Sequence, residues 1–241
     1  MNKNILQHII NSKQKGKKLL AILLDPDKVI LKNLESIISK ITINKVDFIF
    51  VGGSTVHVGV TDKLVKKIKK LTTIPIILFP GDYTQLTNNA DAVLFLSLLS
   101  GRNPEYLINQ QIKSVEFLKN SDLEIIPTAY ILIDGGVETS VQKVSKTTPI
   151  SQSNIDEIIN TTMASQYLGK QLIYLEAGSG ATKAVDSKII KKISENVEIP
   201  IIVGGGIRSK KQLETAFENG ADLVVIGTAF EENNSILSEL K

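Results

Sequence analysis

Three glycine clusters stand in the last third of the chain: Glu176-Ala177-Gly178-Ser179-Gly180, Gly204-Gly205-Gly206-Ile207-Arg208 and Gly227-Thr228. Glycine lets backbone N–H groups approach an anion closely, and a helix N-terminus just beyond adds positive potential. Three such clusters facing one another would cradle one phosphate. The competing role is simply to end strands. Near the start, Leu24-Asp25-Pro26-Asp27-Lys28 offers two carboxylates and an ammonium. One or two carboxylates together with substrate phosphates commonly hold Mg²⁺, which keeps much of its own water, so Asp25 is the candidate ligand. Ser54, in Gly52-Gly53-Ser54-Thr55, is a second candidate oxygen. A turn or capping hydroxyl is its alternative role, as helix N-capping is for Asp27 or Asp25.

The stretch Leu172-Ile173-Tyr174-Leu175-Glu176 places Tyr174 and Glu176 on one face of a strand by period-two alternation. A Glu beside a phosphate-bound alcohol can accept its proton, and the Tyr hydroxyl can orient the same substrate. Tyr174 as an ordinary core residue is the competing account. Arg102, in Ser100-Gly101-Arg102-Asn103-Pro104, can pair with a diphosphate or cap a turn. The two histidines, His8 and His57, have no metal-ligand spacing and are read as structural or solvent-exposed.

These residues need a frame. Short runs of Ile, Val and Leu alternate with helical spacing, the pattern of repeated β-α units. Strands are predicted over Leu19–Leu24, Val46–Val51, Pro75–Phe79, Ala92–Ser97, Glu124–Leu132, Leu172–Glu176, Ile199–Val203 and Asp222–Ile226. Eight strands close a (β/α)₈ TIM-type barrel, whose chemistry belongs at the C-terminal strand ends and whose phosphate site follows strands seven and eight. Helices are predicted over Leu31–Ile43, Thr61–Leu71, Pro104–Lys119, Asn154–Leu168, Lys183–Glu195, Ser209–Asn219 and Phe230–Leu240. After the third strand only Gly81–Ala90 remain, so a loop or a single turn replaces the helix there. The segment Asp134–Ser153, with its Gly pair and its Ser and Thr, reads as a mobile lid over the mouth.

Composition narrows the classes further. At 241 residues and 42% hydrophobic content the chain suits one barrel domain over its whole length. A net charge of +3, from 28 Lys and Arg against 25 Asp and Glu, is too small and dispersed for nucleic acid. With no cysteine there is no disulfide framework and no thiolate site, which fits a reducing cytoplasm. No apolar stretch reaches the length of a membrane span or a secretory signal, although peripheral contact with a membrane surface stays open. Barrels of this size commonly form symmetric homo-oligomers, which is the expectation here.

As an ordered set, six stretches resemble the geranylgeranylglyceryl phosphate synthase family, and its bacterial members in particular. They are Leu23 to Lys28, Phe50 to Thr55, Ile77 to Gly81, Leu96 to Pro104, Tyr174 to Gly180 and Gly204 to Arg208. The resemblance implies a prenyltransferase that joins sn-glycerol 1-phosphate to geranylgeranyl diphosphate through an ether bond. It implies Mg²⁺ on Asp25 and Ser54. It implies glycerol phosphate held by Tyr174, Leu175, Glu176, Ala177, Gly178, Ser179 and Gly180 with Gly205, Gly206, Gly227 and Thr228. Lys28 and Arg102 would complete the charge clamp on the diphosphate, and the central cavity would take the prenyl chain, with Phe79, Phe95 and Tyr130 among the candidates to line it. The acidic residues of Asp134-Gly135-Gly136-Val137-Glu138-Thr139 depart from the uncharged loop of archaeal members and leave donor length open, heptaprenyl diphosphate being one alternative. Two other readings share the glycine cradle. A phosphosugar isomerase or aldolase would want a flanking carboxylate pair or a Schiff-base Lys, and a non-catalytic prenyl-phosphate carrier would bind without turnover.

Overall fold

Runs such as Leu19–Leu24 and Phe48–Val51 are apolar on both faces, and strands buried on both faces pair in parallel beneath covering helices. The computed structural model describes residues 4–233. In it β1 (Leu19–Leu24), β2 (Phe48–Val51), β3 (Ile76–Leu78), β4 (Ala92–Leu98), β5 (Glu124–Leu132), β6 (Leu172–Glu176), β7 (Ile201–Gly204) and β8 (Leu223–Ile226) form a closed barrel in sequence order. Every neighbouring pair is parallel, and closure sets Leu20 opposite Val224. The predicted strands match within a residue or two at each end.

An element the sequence reading did not include comes first. Helix α1 (Ile5–Gln14) buries Ile5 and Ile9, one turn apart, against inward-facing Leu19, Phe48 and Leu223. Its first amides, of Ile5 and Leu6, donate to the Glu124 carboxylate at the start of β5, so a charged acceptor meets the helix N-terminus. The helix therefore closes the N-terminal end of the barrel. Above it Ala21, Phe50, Ile77, Leu94, Ile126, Tyr174 and Ile202 fill the axis.

The outer layer consists of α2 (Leu34–Ile43), α3 (Val60–Lys69), α4 (Gln110–Leu118), α5 (Ser140–Ser145), α6 (Ile155–Tyr167), α7 (Ser187–Ser194), α8 (Lys210–Glu218) and α9 (Thr228–Glu232). Each longer helix turns an apolar stripe inward: α7 buries Ile189, Ile190 and Ile193, while Lys191 and Lys192 stay in water. Between β3 and β4 there is only a 3₁₀ turn, Tyr83–Gln85, as the shortness of that segment requires. Where a helix is predicted from Phe230 to Leu240 the structure has α9, which ends at Glu232 with Asn233 extended, and residues 234–240 of the prediction lie outside the described residues. Among those residues no helix is long and apolar enough to cross a membrane.

The segment expected as a mobile lid contains a short helix and a β-bridge. Thr139 and Gln142 form a reciprocal capping box that starts α5. Ile133 and Ile150 form a parallel bridge, and Asn103 Nδ2 donates to Ser145 O at 2.8 Å. The segment is thus held at the mouth by its own hydrogen bonds and by one from Asn103.

Candidate active site

The C-terminal ends of the strands surround a cavity of about 390 Å³. Its floor is aromatic. Phe79, just past β3, stacks on Tyr174 of β6 with ring centroids 4.9 Å apart and planes 2° from parallel. Tyr130 of β5 meets both rings edge-on, 5.7 Å from Phe79 and 5.6 Å from Tyr174. Register explains the cluster, because Tyr130 pairs directly with Tyr174. The Tyr174 hydroxyl is buried and makes no well-formed hydrogen bond within the protein, so it is free to meet a ligand.

Two residues further along β6, Glu176 points the same way and is 6% exposed. One carboxylate oxygen accepts the Gly178 amide at 2.6 Å. Burial raises its pKa to about 7, against the Gly178 amide and the nearby Tyr174 hydroxyl, both of which favour the charged form. The glycines at the end of β7 and just after it are what make room for it. A Cβ on Gly204 would lie 2.5 Å from the Tyr174 hydroxyl, and one on Gly205 would lie 2.5 Å from Glu176 Oε1. Both Gly205 and Gly206 also hold positive φ, at 80° and 72°. These glycines thus serve the base as well as any phosphate.

A carboxylate held near neutrality costs stability. Between about pH 4.5 and 7 the unfolded chain releases this proton while the native state keeps it, so stability falls as pH rises through that window and stays lowered above it. Glu176→Gln therefore stabilises the fold by about 3 kcal/mol above neutrality, at 1.36 kcal/mol per pKa unit. Thermal unfolding of both proteins at about pH 8 and about pH 4 checks this, the difference being expected only at the higher pH.

The three glycine clusters converge as the spacing suggested. Ser179 Oγ lies 3.1 Å from Thr228 Oγ1, and the Gly180 amide donates to that same hydroxyl at 3.3 Å. Gly205, Gly206 and Gly227 line the wall beside them. Across the mouth, Asp25 follows β1 directly, and its carboxylate packs 3.2 Å from where a Cβ of Gly53 would stand. Asp25 Oδ1 accepts the Asp27 amide at 3.0 Å, while Lys28 Nζ sits 3.4 Å from Oδ2 and 3.1 Å from Glu231 Oε2. Ser54 lines the same side. Asp27 accepts from the His57 amide and ring instead of capping a helix, and His57 beside it holds its carboxyl below the usual range.

Four candidates fall elsewhere. Arg102 Nη1 donates to Leu99 O and to Gly101 O at 2.7 Å, and its side chain borders a separate shallow depression beside α6. It caps its own turn, away from the mouth. Leu175 and Ala177 alternate outward into the helix layer, and the Gly178 amide is spent on Glu176. Conversely Arg208 lines the cavity, bound to Glu232 at 2.7 Å, and Glu231 joins it there. Arg208 stands in the second of the three glycine clusters, which is the signal that could have singled it out.

The apolar part of the cavity does not run down the barrel, whose axis is filled. It leaves sideways over β3 and β4, through the space left by the missing helix. Val93 and Phe95, on the outer face of β4, form one wall with Leu86, while Tyr106, Ser114 and Leu118 on and before α4 form the other. Just ahead of α4 the backbone takes a π-helical turn over Glu105–Asn109, an irregularity frequent at functional sites.

Comparison with known proteins gives one consistent result. The model of the PcrB family matches residues 12–241. The geranylgeranylglyceryl phosphate synthase of Flavobacterium johnsoniae is 52% identical, with 95% of each chain covered. That of Thermococcus gammatolerans is 40% identical over 96% of this chain and 91% of the relative. A crystal structure of (S)-3-O-geranylgeranylglyceryl phosphate synthase from Thermoplasma acidophilum, in complex with its substrate sn-glycerol-1-phosphate, superposes with a TM-score of 0.91 at 31% identity, covering 98% of this chain and 95% of that one.

Proposed function

The chain belongs to the PcrB family, and we propose that it is a geranylgeranylglyceryl phosphate synthase, forming the ether bond between sn-glycerol 1-phosphate and geranylgeranyl diphosphate. The observation that carries this reading is the buried Tyr174 hydroxyl close to a Glu176 poised near pH 7, between a glycine cradle and an apolar channel. The glycerol phosphate sits with its phosphate against Gly180, Gly205, Gly206, Gly227 and Thr228. Its free primary hydroxyl is thereby held over Glu176 and Tyr174. Positioning of this kind supplies much of an enzyme's rate enhancement for a bimolecular step.

Glu176 accepts the hydroxyl proton as the oxygen attacks the allylic carbon of the donor. The new C–O bond forms while the bond from that carbon to the diphosphate breaks, and the leaving group departs with the electron pair. Positive charge develops on the allylic carbon beside the rings of Phe79, Tyr130 and Tyr174, whose π systems stabilise it. Lys28 meets the departing charge.

Asp25 and Ser54 suit Mg²⁺: an all-oxygen pair on adjacent strand ends, with one carboxylate, matches an ion completed by substrate phosphates and water. Mg²⁺ held there would neutralise the diphosphate and ease its departure.

The prenyl chain follows the side channel. Ser114→Phe narrows it midway along α4, and the expected result is a shift in kcat/KM from geranylgeranyl toward farnesyl diphosphate by at least about tenfold, since each buried methylene contributes about 0.8 kcal/mol. Competition between the two donors measures it; an unchanged ratio would place the chain elsewhere. The reaction as a whole is tested by diphosphate release in the presence of each substrate.

A further inference from the structure

Two neighbouring glutamates on the short helix α9 each hold one cation of the mouth. Glu231 Oε2 lies 3.1 Å from Lys28 Nζ, and Glu232 Oε2 lies 2.7 Å from Arg208 Nη1. The two pairs are not alike. The Glu231 side chain is 19% exposed and lines the cavity, whereas that of Glu232 is 58% exposed and stands outside it. A carboxylate at the mouth of a site for two phosphate-bearing substrates needs a reason. Electrostatically it opposes both of them, and a neutral residue would leave Lys28 to Asp25 alone.

We propose that Glu231 is a positioning residue that competes with the diphosphate for Lys28, taking the ammonium back as the diphosphate product departs. The inference rests on the reaction proposed above. Before the donor binds, Lys28 spans Asp25 and Glu231. The incoming diphosphate, with more charge than either carboxylate, draws Lys28 off Glu231. After transfer, Glu231 offers the same ammonium an alternative partner 3.1 Å from its resting place. Release of a tightly held anion, commonly the slow step in such enzymes, is thereby hastened at some cost in donor affinity.

The experiment is binding of inorganic pyrophosphate to the full chain by calorimetry, together with its inhibition constant in the transfer reaction. Glu231→Gln is expected to bind pyrophosphate about fivefold or more tightly and to suffer correspondingly stronger product inhibition, within the usual range for coupled charges. Glu232→Gln makes the same change of charge one residue along and frees Arg208 instead; it is expected to move pyrophosphate binding less than about twofold. In a Lys28→Met background the Glu231→Gln effect should vanish, which separates competition for Lys28 from simple loss of a negative charge. Equal tightening by both glutamine variants, or an effect that survives loss of Lys28, overturns the proposal. Failure of the wild-type protein to bind or release pyrophosphate would instead overturn the assigned reaction, so the two failures are distinct.

Discussion

Glu176→Gln lowers turnover by about a thousandfold while the dissociation constant for sn-glycerol 1-phosphate changes by less than about threefold. Gln keeps the size of the side chain and can still accept the Gly178 amide hydrogen bond. What it loses is the ability to take a proton. In the proposed reading the glycerol phosphate is held mainly by backbone and hydroxyl groups around Gly180, Gly206 and Thr228, which line the cavity and which the substitution does not touch. In the wild-type enzyme kcat/KM should rise with pH through about 7, as the free Glu176 deprotonates. A bound phosphate nearby disfavours a second negative charge, so the corresponding limb of kcat lies at higher pH. Single-turnover assays across pH, combined with calorimetry on both proteins, measure these effects. A variant retaining more than about a tenth of wild-type turnover would remove Glu176 from the role of base.

Asp25→Asn costs about a hundredfold or more in kcat/KM for the prenyl donor and raises the Mg²⁺ concentration needed for half-maximal rate, with glycerol phosphate affinity again unchanged. The amide can keep the turn by accepting the Asp27 N–H at Oδ1. It cannot supply the charge that an oxygen-bound dication needs, and Lys28 then leans on Glu231 alone. Because the loss falls on the diphosphate side of the cavity, the two substrates should separate cleanly. Equal losses of affinity for both would point instead to a collapsed β1–β2 corner, where Asp25 packs on Gly53.

The strands were legible because both their faces are buried, leaving unbroken runs of Ile, Leu and Val that turn residues punctuate. The missing cover between β3 and β4 was a matter of length alone. Helix α1 was not, since Ile5, Ile9 and Ser12 are its only buried positions and the Lys, Asn and Gln between them masked the spacing. The capping box of α5 was present in Thr139 to Gln142, but six helical residues are too few to stand out from a loop. At the site, alternation placed Tyr174 and Glu176 correctly on one face and, by the same rule, turns Leu175 and Ala177 outward. Sequence order could not show that Gly204 and Gly205 make way for Tyr174 and Glu176, because that contact joins β6 to β7 through their register. Nor could it show that Arg102 bends back onto its own turn, or that the open volume leaves the barrel sideways. Those depend on what fills the axis, and only packing decides it.

The measurement that bears most directly on the central claim is diphosphate release from purified protein given geranylgeranyl diphosphate and Mg²⁺, with sn-glycerol 1-phosphate in one reaction and its sn-3 enantiomer in another. The expected result is release that requires the metal and the sn-1 isomer, with the prenyl group recovered in ether linkage to the glycerol. Release indifferent to the enantiomer, or none with any polyprenyl diphosphate, would contradict it and return the glycine cradle to phosphosugar chemistry.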